Sequence, residues 1–388
     1  MYRLSFAGFI LLLFACGTDN ADKASGQSNR NAFYYWQTSL YDFPRQDSVY
    51  ESLHVSKLYI RFFDVDWSES AHAPVPVSPI ETYYTFDDTT EMVPVVFITN
   101  ETFTHLDKTQ SADLARQVYK KLMGKLNAML MGRYGTDLYE EEWWEQNPYN
   151  LKSRNFDEQQ RHDSIYIARV KKIKQIQFDC DWTKSTKDKY FAFLEESKKL
   201  FEQQLISSTI RLYQYKYPKE AGLPPVKRGM LMCYNAGNIK SADTKNSIFD
   251  HQEVMSYLDA GEYPIPLDYA LPVFEWAVLY SGNKEFKNIL SAFTLQEDYQ
   301  SFIGPRNEET NVSVVLEDFV YGYTNGGIFI RKGDEIRFEQ PDLEAVKELA
   351  GWLAAHKNNK EAIISLYHLN RYDLQKHSKE IKAIFDSF

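Results

Sequence analysis

Lys174 to Thr183 reads KQIQFDCDWT, an apolar strand-like run that ends in Asp179 and Asp181 and passes at once into an amphipathic segment. Alternation along a strand sends these two side chains to one face at its carboxyl end, where parallel α/β proteins assemble their sites. Two carboxyl groups so placed suit proton chemistry, because like charge at close range raises the proton affinity of one of them. Other chemistry-bearing residues stand at the ends of other apolar runs: Trp36, then Asp64 and Asp66, then Arg211, Tyr213 and Tyr215, then Tyr234 and Asn235, then Glu275 and Trp276, and finally His368 and Asn370.

Hydrolysis of a glycosidic bond needs one carboxyl group to protonate the leaving oxygen and a second to act as nucleophile or base, with aromatic platforms and hydrogen-bonding groups nearby. Asp179, Asp181 and Glu275 are the candidate catalytic carboxyls; Trp36, Asp64, Asp66, Arg211, Tyr213, Tyr215, Tyr234, Asn235, Trp276 and His368 are the candidate contacts to a glycan. A plainer reading stands beside this one. Acidic residues at strand ends also cap the next helix or hold an arginine, and Arg61 and Arg211 are at hand for a buried ion-pair network. The expectation is a site without cofactor or metal, with a calcium ion among Asp64, Asp66, Asp179 and Asp181 as the alternative.

Eight apolar runs must carry these groups: residues 32–38, 57–66, 93–99, 175–181, 208–215, 229–235, 270–277 and 361–369. Between most of them lie segments with apolar residues at spacings of three and four, over 111–123, 188–201, 250–258, 343–355 and 374–385, with Ser111 as a fit N-cap. Near-continuous apolar strands alternating with amphipathic helices indicate a parallel sheet covered by helices, and eight strands with a helix after the last fit a closed (β/α)8 TIM-like barrel. Two stretches exceed a minimal barrel. Residues 132–161 read as a βα insertion over the mouth, and residues 307–339 as a small antiparallel β insertion with turn-like Asn-Gly-Gly and Lys-Gly-Asp.

The chain has 27 Tyr, 25 Phe and 7 Trp, too many to hide entirely in one core, so part of this aromatic surface is expected to line a site for planar, partly polar ligands such as sugars. A net charge of −10, with basic residues scattered among acids, argues against a nucleic-acid partner. Cys180 and Cys233 fall inside apolar runs on different strands and read as buried free thiols.

The amino terminus bears on location. Leu4 to Phe14 has the length of a signal-peptide core and is too short to span a bilayer alone. Residues 13–17 (LFACG) resemble a bacterial lipobox, which implies a signal peptide over 1–15 and a lipid on Cys16. Residues 16–31 are small and polar and read as a flexible tether, leaving 32–388 for the barrel. Asp19 and Asp22, soon after the cysteine, are similar to the surface-export signals of Bacteroidetes lipoproteins. The expected location is the cell envelope, lipid-anchored at the outer membrane, with the leaflet open.

Residues 176–183 together with Tyr190 and the run 210–215 resemble an uncharacterised group of bacterial lipoproteins with a glycoside-hydrolase-like barrel. The same central motif is similar to the Asp-rich fourth-strand motif of family 18 chitinases, in which a Glu acid follows the aspartates. Asp179 and Asp181 match the aspartates, and Thr183 stands where that Glu would be. A second template, the retaining glycosidase with its acid on strand four and its nucleophile on strand seven, implies Asp181 and Glu275 for those roles. Alternatives from other classes are a carbohydrate-binding barrel without catalysis and an envelope interaction protein.

Overall fold

The computed structural model describes residues 30–40, 48–82, 90–130, 173–235, 237–322, 327–357 and 361–388. Eight parallel strands form the frame: β1 (Asn31–Tyr35), β2 (Lys57–Ser68), β3 (Glu91–Ile98), β4 (Gln175–Asp179), β5 (Leu205–Arg211), β6 (Arg228–Met232), β7 (Leu267–Pro272) and β8 (Ile364–Tyr367). Each pairs with the next in the chain, and β8 pairs with β1, so the sheet closes on itself as a (β/α)8 barrel. Every apolar run expected from the sequence contributes one strand to this barrel.

Helices cover the outside through their apolar stripes. In Leu343–His356 the buried residues are Val346, Leu349, Ala350 and Leu353, the spacing of one helical face, and Asp342 caps the start by accepting from the amides of Glu344 and Ala345. Phe193 of Lys187–Leu200 meets Phe178 of β4 edge to face at 4.9 Å between ring centres. Two expectations shift. The helix expected to start at Ser111 runs over Lys108–Leu130, because Asp107 and Gln110 exchange side-chain-to-amide bonds at its start while the Ser111 hydroxyl bonds back to the Asp107 carbonyl. The segment 374–385 divides into Arg371–Lys376 and Ser378–Ser387, the first capped by the Asn370 side chain, which accepts from the Asp373 amide at 2.7 Å.

The barrel interior is polar where β4 faces it. Gln175 donates to Ser207 Oγ at 2.7 Å and accepts from Lys57 Nζ at 3.0 Å, Gln177 accepts from Tyr34 at 2.5 Å, and Asp179 follows two residues on. Arg228 pairs with buried Asp268 at 2.7 Å in the same end of the barrel as Lys57 and Gln175. These partners offset much of the cost of burying the polar groups, while Gln177 Nε2 has no hydrogen-bond partner among the described residues.

The antiparallel insertion begins earlier than 307. Trp276–Tyr280 pairs with Phe286–Leu290 on one side and Glu335–Glu339 on the other, Val312–Val314 completes the sheet, and Phe319–Tyr321 with Ile328–Ile330 adds a hairpin. This unit has its own apolar centre, including Leu279, Leu295, Ile330 and Ile336. The run 270–277 is therefore two strands of different sheets, β7 ending at Pro272 and the insertion starting at Trp276. The insertion expected over 132–161 lies outside the described residues. Cys180 and Cys233 are buried free thiols, and no helix among the described residues is long and apolar enough to cross a membrane.

Candidate functional site

Asp179 is the last residue of β4 and only 6% exposed. Thr209 of β5 donates to its Oδ1 at 2.6 Å. Burial, and then the charge of Asp181, push its carboxyl up to about 7, against the opposing pull of the Thr209 hydrogen bond and the Arg211 cation. Near neutral pH its protonated and ionised forms are thus both populated. Asp181 lies just beyond the strand with 47% of its side chain exposed, 3.3 Å from an Arg211 guanidinium nitrogen. The pair expected from the sequence is present, and its two members occupy opposite environments.

Tyr34 of β1, Tyr367 of β8 and Tyr234 just after β6 lie near this pair. Tyr34 of β1 stacks on Tyr59 at 4.9 Å, and Tyr367, last in β8, stacks on Tyr234 at 5.2 Å. Tyr367 is also 5.7 Å from Tyr34 and 5.7 Å from Trp36. Burial holds the Tyr34, Tyr234 and Tyr367 phenols well above their ordinary range, and the charge of Asp179 adds to the rise in each. All three are neutral at physiological pH, and the Tyr34 hydroxyl is the one that donates to Gln177.

Arg61 and Asp64 form a second charged pair. The β2 register against β3 shifts between Arg61 and Phe63, and this bulge brings residues three apart together: Arg61 Nε donates to Asp64 Oδ1 at 2.7 Å and a second guanidinium nitrogen reaches Oδ2. The same guanidinium lies 5.7 Å from the Trp36 ring centre.

Beside the ring cluster, between the barrel and the insertion, is a pocket of about 670 Å³. Asn235, Phe274, Glu275, Tyr367 and His368 form its barrel wall, with Trp276 and Phe293 of the insertion and Tyr372 among the other lining groups. Phe274 and Tyr367 touch edge to face at 5.3 Å and belong to both the cluster and the pocket. Burial pushes His368 down to about 4, so its ring is neutral at physiological pH. Trp276 is held from behind, where its Nε1 donates to Glu339 at 2.9 Å and the buried Glu339 also accepts from Arg337, from the Ser247 amide and from the Ser247 hydroxyl.

The structure gathers Asp179, Asp181, Asp64, Arg211, Trp36 and Tyr234 about the barrel mouth, and Glu275, Trp276, Asn235 and His368 at the adjoining pocket. Asp66 is engaged in local structure: its Oδ1 accepts from the Trp67 amide and from Thr99 Oγ1, and Thr99 caps the helix Asn100–His105. With Asp64 taken by Arg61 and Asp66 by Thr99, the four aspartates do not gather around a common point for calcium. One cluster with the donor types of a metal site, Glu69, Glu101 and His105, is fully on the surface.

Tyr213 and Tyr215 are corrected. β5 ends at Arg211, whose amide donates to the Gln214 side chain at 2.7 Å and closes a first helical turn, so both tyrosines ride on the helix Leu212–Lys216. Tyr213 is exposed against Tyr217, and Tyr215 bonds the Gly261 carbonyl and Lys357 in the outer layer. The reading from sequence missed Tyr34, Thr209 and Tyr367. Thr209 carried a signal, since it precedes Arg211 by two residues and alternation places both on one face of β5.

No family model and no curated protein matches the chain. Among solved structures, it is similar to a glycoside hydrolase family 18 N-acetylglucosaminidase from Paenibacillus barengoltzii, at 9% identity over 92% of this chain and 99% of that one, with a TM-score of 0.44. It is also similar to the catalytic domain of psychrophilic chitinase B from Arthrobacter TAD20, at 10% identity over 92% and 94% with a TM-score of 0.43. The Ostrinia furnacalis group IV chitinase gives 11% identity over 93% and 98% and a TM-score of 0.41. At such identities and TM-scores these likenesses assign the chain neither a family nor an activity.

Proposed function

We propose that the protein acts on a glycan at the barrel mouth and hydrolyses a glycosidic bond by carboxylate chemistry. The observation that carries this reading is the Asp179–Asp181 pair: a buried carboxyl that holds a proton near neutral pH, two residues from an exposed carboxyl, with Tyr34, Tyr234 and Tyr367 nearby. In this reading Asp179 is the proton reserve, with Thr209 occupying Oδ1 and leaving Oδ2 for the proton. The proton of Asp179 goes to the leaving oxygen; Asp181 meets the sugar, stabilises the positive charge that develops at the anomeric carbon and takes the proton of the water that attacks it, and the proton then returns to Asp179 through solvent. The neutral hydroxyls of Tyr234 and Tyr367 donate to sugar oxygens, and Trp36 offers a stacking face. Glu275 is ion-paired with Lys376 at 2.9 Å and in this reading contacts the sugar in place of transferring a proton.

Binding without turnover is the second reading, favoured by Thr183 at the position of the chitinase acid and by the burial of Asp179. A panel of oligosaccharides separates the two. Release of reducing ends by the wild-type protein, abolished in Asp181→Asn, supports hydrolysis; binding of a glycan with no release over days supports the second reading; neither binding nor release rejects both.

We also propose that the protein is anchored in the cell envelope through a lipid on Cys16. The support is the sequence alone, since residues 1–29 lie outside the described part.

A further inference from the structure

We propose that Glu69, Glu101 and His105 bind a divalent transition-metal ion of the zinc type, which staples the hairpin beyond β2 to the helix that follows β3. Each of the three offers one ligand atom, and these atoms all lie within 4.8 Å of one another. Around zinc, with bonds of about 2.0–2.2 Å, neighbouring ligands stand roughly 3.4 Å apart, so the cluster has to contract by at most about 1.4 Å. All three side chains are exposed, and rotation of the two glutamates supplies that movement. None of these residues belongs to the proposed glycan site, so the metal site stands or falls by itself.

The backbone alone brings the donors together. Glu101 and His105 are four apart on the helix Asn100–His105 and so share a face. Glu69 follows the last residue of β2, whose residues 64–68 pair antiparallel with 73–77, and stands at the start of the hairpin's turn. The two elements are tied to each other and to the next helix: Thr99 caps Asn100–His105 and donates to Asp66 Oδ1 at 2.8 Å, and Lys189 Nζ holds the helix's other end through the carbonyls of Phe103 and Thr104 at 2.9 and 3.1 Å. The His105 ring lies flat on Trp67, with 4.2 Å between ring centres and 2° between planes. A stack covers the face of an imidazole and leaves open its edge, where both nitrogens sit. Trp67 Nε1 is buried and has no hydrogen-bond partner among the described residues, an unused donor beside the cluster for the second oxygen of a metal-bound carboxylate.

The donor set selects the ion. Neither Glu69 nor Glu101 has an ion-pair partner among the described residues, and two carboxylates this close repel until a cation sits between them. An imidazole nitrogen beside two carboxylate oxygens suits zinc and its neighbours in the transition series; calcium and magnesium take oxygen ligands, and more of them. Three protein ligands leave a fourth position of the tetrahedron for water.

The test is isothermal titration of the full-length protein, stripped of metal with a chelator, with zinc chloride, and in parallel with calcium chloride and magnesium chloride. Zinc should bind, raise the thermal midpoint and outcompete calcium by at least about tenfold. Glu69→Gln, Glu101→Gln and His105→Ala should each weaken zinc binding by at least about 10–100-fold, the loss seen even for residues that only orient a ligand, and should abolish the zinc-dependent rise in midpoint. The three positions are exposed, so the metal-free variants should melt with the wild type and the comparison holds. Absence of zinc binding overturns the site. Zinc bound equally by the wild type and all three variants is held elsewhere on the chain and overturns it too, as does calcium binding at these residues as tightly as zinc.

Discussion

Asp179 and Asp181 are two residues apart and in opposite surroundings, the first 6% exposed against Thr209, the second with 47% of its side chain open beside Arg211. Their division of labour follows from solvent. The buried member keeps a proton to about pH 7 because an isolated charge is poorly solvated there, and the exposed member is the one a ligand meets first.

Asp181→Asn should therefore remove glycan turnover by at least about 10²-fold, the scale of a lost acid/base or charge-stabilising group. Its surface position limits the stability change to roughly 0.5 kcal/mol. Reducing-end assays and thermal midpoints on the same preparation check this; a variant that keeps wild-type turnover removes Asp181 from the chemistry.

Asp179 has a definite sign in its pH dependence. Its folded carboxyl is raised from 3.8 to about 7, so its contribution to stability is fully present below about pH 4 and is lost as pH rises through 7. Asp373, raised to about 6, acts in the same direction over a lower window, while His368, lowered to about 4, costs stability as pH falls below 6.5. Asp179→Asn should remove the fall in thermal midpoint that this carboxyl contributes as pH rises from about 4 to 7, so that the opposing rise from His368 over about pH 4 to 6.5 becomes more visible. Parallel wild-type and variant curves across that range would contradict the assignment.

Glu339 should matter for stability out of proportion to its distance from the mouth. It and Arg337 are buried with side chains 0% and 1% exposed, and removing one partner of such a pair strands the other at a cost on the order of 3–5 kcal/mol. Glu339→Ala should show that loss in chemical denaturation, and Glu339→Gln, which retains acceptors for Trp276 and Ser247, a smaller one. Equal midpoints for wild type and Glu339→Ala would refute the keystone role.

Cys16→Ser should release the protein from the membrane fraction when it is expressed in a bacterial host that lipidates exported proteins. Mass spectrometry of the mature wild-type chain supplies the direct check, and an intact unmodified Cys16 would end the proposal.

The eight-strand frame was legible in the amino-acid order because it depends on local pattern. Each apolar run long enough for a strand, followed by a segment with apolar residues at three and four, has few ways to bury both faces other than in a helix-covered parallel sheet. The segments 250–258 and 343–355 were readable as helices for the same local reason. The boundary within 270–277 was not, since a mostly apolar run interrupted only by Pro272 and Glu275 does not show that the chain leaves one sheet for another. Nor was the fate of Tyr215, which a single bond from the Arg211 amide to Gln214 turns from strand to helix.

What only the tertiary structure decided is which carboxyl is buried, which is open, and what faces them. Tyr34, Thr209, Tyr234 and Tyr367 come from β1, β5, the end of β6 and β8, and meet Asp179 only because β8 closes on β1 and brings distant strands around one axis. Proton affinity depends on burial and on charges a few ångströms away, and both are set by that closure between residues far apart in the chain.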